Sequence, residues 1–575
     1  NQEIAKILYN MAIYLVMEDV PFKPQAYERA AMALESLGED VGNLYRKEGV
    51  KGLEKIPGVG RGIAEKIEEY LKMGKVKEYE KMRKGMPVNM DELGLVEGIG
   101  PKMMRDLWKH LKVKDLKTLE AAAKAGKIQK LPHFGLKTEQ NILHGIAFAK
   151  KSGGRWLLGT IYPYTEEIVA MLKDSKLVEE AVAAGSIRRM KETIGDVDIL
   201  VTTKKPKEVM EYFVSHMKYS KLWGKGPTKV SLRTLQGFDI DVRVLDEEVF
   251  GAGLQYFTGS KEHNVKLRTH AIKKGYKLSE YGLFKGKKRI ACRTEEEVYK
   301  ALGMAYIEPE MREDTGEIEA ALAGNLPSIL SYGSLKGDLQ IQTDWSDGNN
   351  SIEEMAKEAK SQGLEYIAIT DHTRDLAMTG GSDEKKLLRQ MAEIDRINKK
   401  LKTQNPKFRI LKGAEVNIRK DGSLDIADEV LAKLDVVGAS VHSFFKMTQK
   451  DMTARIVRAM KNPHVDIVFH PTGRLIHKRE PYALDMDTLV KTAKKTGTVL
   501  EINASPLRLD LRDVDIKKAV SAGVKLVIDS DSHSKEHIRF LKFGIAQARR
   551  GWAEKKDILN TLPLDRLLDF FKAKG

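Results

Sequence analysis

The sequence predicts a multidomain chain with three successive fold classes: an all-α beginning, an α+β middle, and a C-terminal part of alternating strands and helices. Its 575 residues are too many for a single hydrophobic core. Short amphipathic helical segments, separated by Pro-Gly and Gly-x-Gly breaks, fill residues 1–150. Helix and strand patterns alternate over about 155–250. From Gly337 onward apolar strand runs alternate with helices, which predicts a parallel sheet or barrel.

The middle part contains three aspartates on short strand-like runs. The first run, Gly185–Arg189, is followed by Asp196 and Asp198, and Asp241 lies in the run Phe238–Val244. Residues two apart on a strand point to the same face, so the first two aspartates project together and Asp241 can join them from a neighbouring strand. Clustered carboxylates repel one another unless cations lie between them, and two hard Mg²⁺-type ions suit such a cluster. The alternative is an acidic surface strand.

Phosphate-binding groups precede these aspartates. Gly185 permits a close backbone approach, Ser186 offers a hydroxyl, and Arg189 carries a fork-shaped anion donor. Groups that hold phosphate beside groups that hold metal favour a catalytic site over an acidic surface. The matching chemistry is two-metal nucleotidyl transfer.

The helical first part contains a repeated Gly-hydrophobic-Gly turn between two helices. It occurs at Ile56–Gly60 and Val96–Gly100, and more loosely at Leu131–Gly135. Free backbone amides at the start of the second helix can hold a phosphate oxygen, and the glycines let a nucleic-acid backbone come close. The repeat predicts helix-hairpin-helix modules that grip DNA without reading its sequence. The alternative is an ordinary helix–helix turn capped by glycine.

The composition indicates an anionic partner. The formal net charge is +16, and the lysines are dispersed along the chain, which favours a folded binding surface over a basic tail. Cys292 is the only cysteine, so disulfides and cysteine-based zinc sites within one chain are excluded. We find no run of about 18 apolar residues and no signal-peptide pattern, and expect a cytoplasmic monomer without membrane contact.

Apolar runs in the C-terminal part end in metal-binding residue types. Six runs lead to the following residues: Asp371 with His372, Glu415, His442, His470, Glu501 with Asn503, and Asp529 with Asp531 and His533. In βα barrels the chemistry gathers at the carboxyl ends of the strands. His, Asp and Glu arriving there from several strands suit a Zn²⁺- or Mn²⁺-type cluster.

Three segments resemble the family X DNA polymerases: Lys55–Gly74, Gly185–Asp198 and Tyr256–Ser260. This resemblance covers about residues 1–316. The C-terminal pattern resembles a PHP domain, a metal-dependent phosphoesterase with a distorted (β/α)₇ barrel that bacterial and archaeal family members carry at this end. The implied domains are an all-α lyase-like helix-hairpin-helix domain (1–85), fingers with helix-hairpin-helix (86–153), an α+β nucleotidyltransferase palm (154–250), a thumb (251–316), a linker (317–336) and the PHP barrel (337–575).

The resemblance implies roles for individual residues. Asp196, Asp198 and Asp241 would hold Mg²⁺ or Mn²⁺, and Asp241 would help to deprotonate the primer 3′-hydroxyl. The positions that match contacts to the incoming nucleotide are Gly185, Ser186, Arg189, Gly195, Tyr256, Phe257, Gly259, Asn264 and Arg268. The positions that match contacts to DNA are Lys23, Tyr27, Gly58, Gly60, Gly98 and Gly100.

Lys66 matches the family's Schiff-base lysine, which removes a 5′-deoxyribose phosphate. It lies at the edge of an apolar helix face, where partial burial is expected to lower the amine's pKa and make it a nucleophile. Glu78 departs from the family by standing where a phosphate-binding lysine is expected. The alternative is that Lys66 contacts only phosphate or solvent.

The PHP resemblance implies Zn²⁺ or Mn²⁺ ligands at Asp347, His372, Glu415, His442, His470, Asp531 and His533. The opening motif departs from the family's His-x-His, because Gln340 and Gln342 stand in its place. Glutamine replaces imidazole poorly as a zinc ligand, so one metal of three is expected to be lost or weak. An active 3′–5′ exonuclease and a degenerate scaffold both remain compatible with the sequence.

The sequence therefore predicts a DNA-templated DNA polymerase that fills short gaps in repair, with gapped or primed double-stranded DNA and dNTPs as its partners. One alternative is a metal-dependent 3′–5′ exonuclease or phosphoesterase that uses the palm as a DNA clamp. Another is a non-catalytic DNA-binding scaffold, against which the three converging carboxylates argue.

Overall fold

The computed structural model describes the chain except for residues 36, 38–40, 95, 97–98, 133, 152–154, 377–378, 405–406 and 574–575. The described chain divides into two compact units. The first unit comprises residues 1–153 with 477–480, and the second comprises residues 154–476 with 481–575.

The part of the first unit before residue 153 is helical where it is described. Its helices are α1 (Gln2–Met17), α2 (Lys23–Glu35), α3 (Val41–Leu53), α4 (Arg61–Met73), α5 (Lys77–Gly85), α6 (Met90–Leu93), α7 (Pro101–Leu111), α8 (Leu116–Lys124) and α9 (Leu136–Lys151). Their apolar faces form two clusters of buried side chains, one containing Leu8, Leu34 and Ile67, the other Leu93 and Leu107. This is the amphipathic pattern that predicted an all-α beginning.

The second unit begins with the palm, which is built on a five-stranded sheet. Its elements are β1 (Trp156–Leu157), α10 (Leu158–Asp174), β2 (Glu180–Ala183), α11 (Gly185–Arg188), β3 (Thr193–Ile194), β4 (Asp196–Thr202), α12 (Pro206–His216), β5 (Tyr219–Lys225), β6 (Lys229–Thr234) and β7 (Asp239–Val244). The strand order is β2-β4-β7-β6-β5, with β4 and β7 parallel and the other pairs antiparallel. The prediction of a strand at 185–189 is wrong, because Gly185–Arg188 forms the one-turn helix α11.

The thumb that follows mixes helices with a small antiparallel sheet. Its elements are α13 (Phe250–Thr258), α14 (Lys261–Lys273), β8 (Lys277–Ser279), β9 (Gly282–Lys285), β10 (Lys288–Ala291) and α15 (Glu295–Ala301), and α16 (Glu317–Ala323) comes next in the chain. Ile318 and Ala321 of α16 pack into the same buried cluster as Leu267 and Tyr299 of the thumb.

The C-terminal part contains seven parallel strands in sequential order, as predicted. The strands are β11 (Gly337–Ile341), β12 (Tyr366–Ile369), β13 (Arg409–Asn417), β14 (Val436–Ser440), β15 (Ile467–Val468), β16 (Val499–Asn503) and β17 (Leu526–Asp529). The helices are α17 (Ile352–Ser361), α18 (Glu384–Gln404), α19 (Asp428–Leu431), α20 (Gln449–Met460), α21 (Met486–Thr496), α22 (Asp513–Ala522), α23 (Leu541–Arg550) and α24 (Leu564–Lys572). A parallel bridge from Ile341 to Ser532 brings the last strand segment back to the first, which nearly closes a barrel.

The barrel and the palm share buried surface inside the second unit. Leu509 and Phe543 of the barrel are members of the palm's apolar cluster. A β-carbon on Gly159 would lie 2.3 Å from the Pro506 ring, so only glycine admits this contact. Arg474 of the barrel donates to Glu192 of the palm at 2.7 Å, so charge pairing supplements the apolar contact.

Two nearby leucines in the palm test how its sheet is stabilised. Leu232 on β6 is fully buried, whereas Leu235, three residues later, is 51% exposed. We expect Leu232→Ala to lower the free energy of unfolding by about 2–5 kcal/mol, because the lost apolar contacts leave a cavity. Leu235→Ala is the matched control, with an expected change within about 0.5 kcal/mol. Urea unfolding followed by circular dichroism measures both, and equal effects would contradict this core assignment.

Candidate functional site

The palm aspartates lie at one end of two adjacent parallel strands. Asp198 on β4 is paired in register with Asp241 on β7, and Asp196 is paired with Asp239. Cross-strand partners and residues two apart share a face, so Asp196, Asp198 and Asp241 project from the same side of the sheet. The period-two pattern in the sequence predicts this placement.

The carboxylates of the three aspartates concentrate negative charge at this face of the sheet. Burial raises the pKa of Asp198 to about 6, and the neighbouring Asp196 and Asp241 act in the same direction. A carboxyl group with its pKa raised by other carboxylates gains most from a nearby cation, so this donor set fits divalent metal ions. The Nζ atom of Lys229, on β6, lies 2.7 Å from Asp241 Oδ2. Lys229 was missed in the sequence, although the β6–β7 hairpin register could have found it.

Gly185 and Asp198 approach each other closely. Gly185 has a φ of +65°, and a β-carbon there would lie 3.0 Å from Asp198 Oδ2. Both the left-handed backbone and the lack of space require glycine at this turn. Ser186 lies in α11, and Gly195 lies directly before β4.

Arg189 is held by the thumb side of the site. Its Nε donates to Glu313 Oε1 at 2.9 Å, and its Nη1 donates to the carbonyl of Thr258. A β-carbon on Gly259 would lie 3.1 Å from that Nη1. The predicted anion donor is therefore already oriented by a carboxylate, Glu313, that the sequence did not indicate.

The predicted sugar-facing segment follows on α13 and α14. The rings of Tyr256 and Phe257 meet edge to face at 5.2 Å, and the Arg243 guanidinium lies 4.7 Å from the Phe257 ring centre. Asn264 donates to the Tyr256 carbonyl at 2.7 Å, and Arg268 donates to the Asn264 carbonyl at 3.2 Å. These two predicted residues therefore brace the segment, in addition to any contact with a nucleotide.

The three glycine turns of the first unit share one backbone hydrogen bond. The amides of Val59, Ile99 and Phe134 each donate to the carbonyl three residues earlier, at 3.0, 3.1 and 3.1 Å. Gly60 and Gly100 are the residues directly before α4 and α7, and neither start has a side-chain cap. The first amides of these helices are therefore available to an anion. Gly98 lies outside the described residues.

Gly58, in the first glycine turn, packs closely against helix α2, which also carries the predicted DNA-binding residues Lys23 and Tyr27. Gly58 has a φ of +77°, and a β-carbon there would lie 3.0 Å from Arg29 Cβ on α2. Tyr27 is buried in the apolar cluster of the unit, whereas Lys23, the first residue of α2, is exposed.

Lys66 is half-enclosed and paired. Its Nζ lies 2.9 Å from Glu78 Oε2 and 6.0 Å from the centre of the Tyr27 ring. Burial alone would lower the pKa of Lys66, but the interactions with Glu78 and Tyr27 outweigh burial and leave its pKa above the ordinary value. The expected lowering of this pKa is wrong, because Glu78 supplies a negative charge where the family pattern has a lysine.

The barrel brings its predicted ligands into two donor sets. Among the described residues, two groups of His, Asp and Glu have donor atoms all within 4.8 Å of one another: Asp347, His372 and His533, and His372, Glu415 and His442. The palm trio is not among these groups of described residues, and Asp241 is paired with Lys229.

Asp347, His372 and His533 form what we call the outer set. Asp347 Oδ1 lies 3.7 Å from the Nε2 atoms of both histidines. The Nδ1 atom of His533 lies 2.9 Å from the Asp531 carbonyl, so it donates there and leaves Nε2 as the lone-pair nitrogen. One carboxylate and two imidazoles fit a Zn²⁺ or Mn²⁺ ion.

The second group, His372, Glu415 and His442, is joined by His470 through Glu415, and these four residues form what we call the inner set. Glu415 Oε1 lies 3.0 Å from His442 Nε2 and 2.9 Å from His470 Nε2. His442 Nδ1 lies 2.7 Å from Asn417 Oδ1, so Nδ1 donates and Nε2 keeps its lone pair. The same type of ion fits this set.

Asp531 and the two glutamines are members of neither set, although they contact residues of both. The amide nitrogens of Gln340 and Gln342 donate to Glu415 Oε2 at 3.0 and 2.8 Å. Asp531 Oδ2 is 3.1 Å from Arg508 Nε. Donor amides and a guanidinium do not fit a metal, so this third position disagrees with the three-metal family pattern.

Comparison with known proteins agrees with the domain order. Family models match as a helix-hairpin-helix domain over residues 1–76, a SAM-like helix-hairpin-helix tandem over 90–147, a DNA polymerase beta thumb over 253–313, and a PHP domain over 338–505. Such a chain combines a family X nucleotidyltransferase with a PHP phosphoesterase.

Whole-chain similarity identifies the family. The chain is 37% identical over 576 residues to the DNA polymerase/3′-5′ exonuclease PolX of Bacillus subtilis (strain 168), with 99% of each chain covered. Part of the chain is similar to a probable phosphatase of Thermoanaerobacter sp. (strain X514), at 29% identity over 235 residues, which are 39% of this chain and 89% of the relative. The chain belongs to the family X DNA polymerases that carry a C-terminal PHP domain. None of the described helices has the length and apolar character needed to cross a lipid bilayer.

The charge on Lys66 should depend on Glu78. We expect Glu78→Gln to lower the pKa of Lys66, because the substitution removes the negative charge that raises it. NMR titration of ¹³C-labelled lysine, with Lys66→Arg to assign the resonance, measures the pKa. Glu80→Gln on the same helix α5 is the matched control and should leave it unchanged. An unchanged pKa in Glu78→Gln would contradict the pairing.

Proposed function

We propose that this chain is a DNA-templated DNA polymerase that fills short gaps during DNA repair. The observation that carries the proposal is the convergence of Asp196, Asp198 and Asp241 on one sheet face beside the Gly185 turn. The relative in Bacillus subtilis, named as a polymerase and 3′–5′ exonuclease, supports the same activity over the whole chain. Gapped or primed double-stranded DNA and dNTPs are the proposed partners, and a cytoplasmic monomer is the proposed form.

In the palm, the proposed site residues position the primer 3′-hydroxyl and the triphosphate of the incoming nucleotide. Mg²⁺ or Mn²⁺ bound at the three carboxylates would supply Lewis-acid stabilisation of the attacking and leaving oxygens. Asp241 accepts the proton of the primer 3′-hydroxyl, the role that the family resemblance implies for the third carboxylate, and its Oδ2 is paired with Lys229 at 2.7 Å. Arg189, oriented by Glu313, and Ser186 bind the triphosphate, while Tyr256 and Phe257 pack against its sugar.

In the first unit, the repeated glycine turns bind the DNA backbone. The uncapped starts of α4 and α7 present amides to phosphate oxygens, which gives binding without sequence preference. Gap specificity is proposed to come from this unit, where Lys66 acts as a cation toward a 5′-phosphate.

In the barrel, the outer and inner sets are proposed to bind Zn²⁺ or Mn²⁺ and to hydrolyse DNA from its 3′-end. His533 and His442 each present Nε2, because backbone and amide oxygens hold their Nδ1 protons. This activity would remove a terminal nucleotide from the strand that the palm extends.

Removing Asp198 should separate catalysis from DNA binding. We expect Asp198→Ala to reduce nucleotide addition on the order of 10³-fold or more, since a ligand of the proposed ions is lost. DNA affinity should stay unchanged, because the glycine turns lie elsewhere in the chain. Asp239→Ala is the matched control: it shares β7 with Asp241 but pairs with Arg233 at 2.8 Å. Normal extension by Asp198→Ala would refute the palm assignment.

One assay distinguishes the two activities. A gapped DNA labelled at the primer 5′-end is incubated with Mg²⁺ or Mn²⁺, with and without dNTPs. Lengthening with dNTPs and shortening without them are expected. Shortening alone, abolished by His470→Ala, would favour a nuclease that uses the palm as a clamp.

Schiff-base chemistry at Lys66 should be weak in the natural sequence. A protonated amine is a poor nucleophile, and Glu78 favours the protonated form. We expect borohydride trapping of a 5′-deoxyribose phosphate to be low in the unsubstituted protein and to rise in Glu78→Gln. Lys66→Arg should abolish what trapping occurs. Strong trapping that is unaffected by Glu78→Gln would contradict this assignment.

A further inference from the structure

We propose that Arg508, with the side-chain amides of Gln340 and Gln342, replaces a metal ion at the third position of the barrel centre. The barrel then binds two metal ions, and the Arg508 guanidinium occupies the place of a third. The two ions in the outer and inner sets rest on the proposed metal-dependent function. The absence of a third ion is inferred separately, from the side-chain contacts at the third position.

The two oxygens of Glu415 face different environments. Oε1 is shared by the imidazoles of His442 and His470, which are metal-ligand types. Oε2 accepts from the amides of Gln340 and Gln342 and lies 3.5 Å from His372 Nδ1. A carboxylate that bridged two metals would present both oxygens to ions, whereas here the second oxygen is capped by two N–H donors.

The amide orientation of Gln340 is set by its other partner. Its Oε1 lies 3.2 Å from Asn503 Nδ2, a donor that it shares with Glu501 and Asp531, and its Nε2 donates to Glu415 at 3.0 Å. An amide nitrogen has no lone pair free for a metal. The side chain is fully buried, which leaves no room to turn toward solvent.

Arg508 supplies positive charge to Asp531. Its Nε lies 3.1 Å from Asp531 Oδ2, which also accepts from Asn503 at 3.2 Å. Glu501 is fully buried nearby, with Oε2 accepting from both Asn503 and the His470 amide. Carboxylates removed from water need a compensating charge, and an arginine at this distance also repels a divalent cation.

The palm holds Arg508 in place. Arg508 lies in the loop 504–511 that follows β16, and its amide donates to the Ser505 carbonyl at 2.8 Å. The adjacent Leu509 is buried in the palm's apolar cluster, and Pro506 fills the space above Gly159. The loop that carries Arg508 is therefore held by contacts with the palm, while the guanidinium itself is paired with Asp531 of the barrel.

The inference predicts the number of tightly bound ions. The full-length protein is stripped of metal, loaded with Zn²⁺, passed through gel filtration and measured by mass spectrometry of the metal, in an Asp198→Ala background to remove the palm contribution. We expect two ions per chain. Gln340→His/Gln342→His should still hold two, because Arg508 remains, and the triple variant with Arg508→Ala should hold three.

Each outcome decides between the claims. Three ions without barrel substitutions, or three in Gln340→His/Gln342→His, would overturn the replacement by Arg508 and leave the proposed nuclease intact. No bound ion would overturn both the two-ion centre and the nuclease. Should the triple variant fail to fold by circular dichroism, anomalous scattering from Zn²⁺-soaked crystals of the unsubstituted protein decides: density between Glu415 Oε2 and Asp531 would refute the proposal.

Discussion

The second unit depends on one constraint: a carboxylate removed from water must be matched by a positive charge or by hydrogen-bond donors. Glu313 illustrates it at the junction of palm, thumb and barrel. Burial opposes its ionisation, but Arg550, Lys191 and Arg189 outweigh burial and lower the pKa of Glu313 to about 2. The same requirement is met at Asp241 by Lys229, and in the barrel by histidines, amides and Arg508.

The loop 504–511 contributes residues both to the barrel centre and to the contact between barrel and palm. It contributes Leu509 to the palm's apolar cluster and Arg508 to the barrel centre. Arg550, on α23, similarly joins the barrel to Glu313 and to the Arg189 carbonyl. The residues that position the proposed triphosphate donor are thus tied to the barrel, so the barrel supports the palm in addition to any hydrolysis that it performs.

Sequence patterns located most of the candidate ligands because local periodicity determines where those side chains point. Asp196 and Asp198 share a face since strands repeat every two residues, and His372, Glu415 and His442 meet because parallel strands end at one edge. Two predictions were wrong for local reasons. Residues 185–188 form a helical turn, in which Gly185 adopts a left-handed backbone, and Lys66 has a raised pKa because Glu78 reaches it from the next helix.

The sequence by itself determined the order of fold classes, the aspartate trio, the barrel ligands and the departure at Gln340 and Gln342. Only the tertiary structure decided which cation each carboxylate meets. Lys229 comes from the neighbouring strand of a hairpin, whereas Glu313 and Arg508 come from a distant segment and a loop that no short-range spacing marks. The physical reason is that charge compensation acts through space, over a few ångströms, between groups whose separation along the chain is arbitrary.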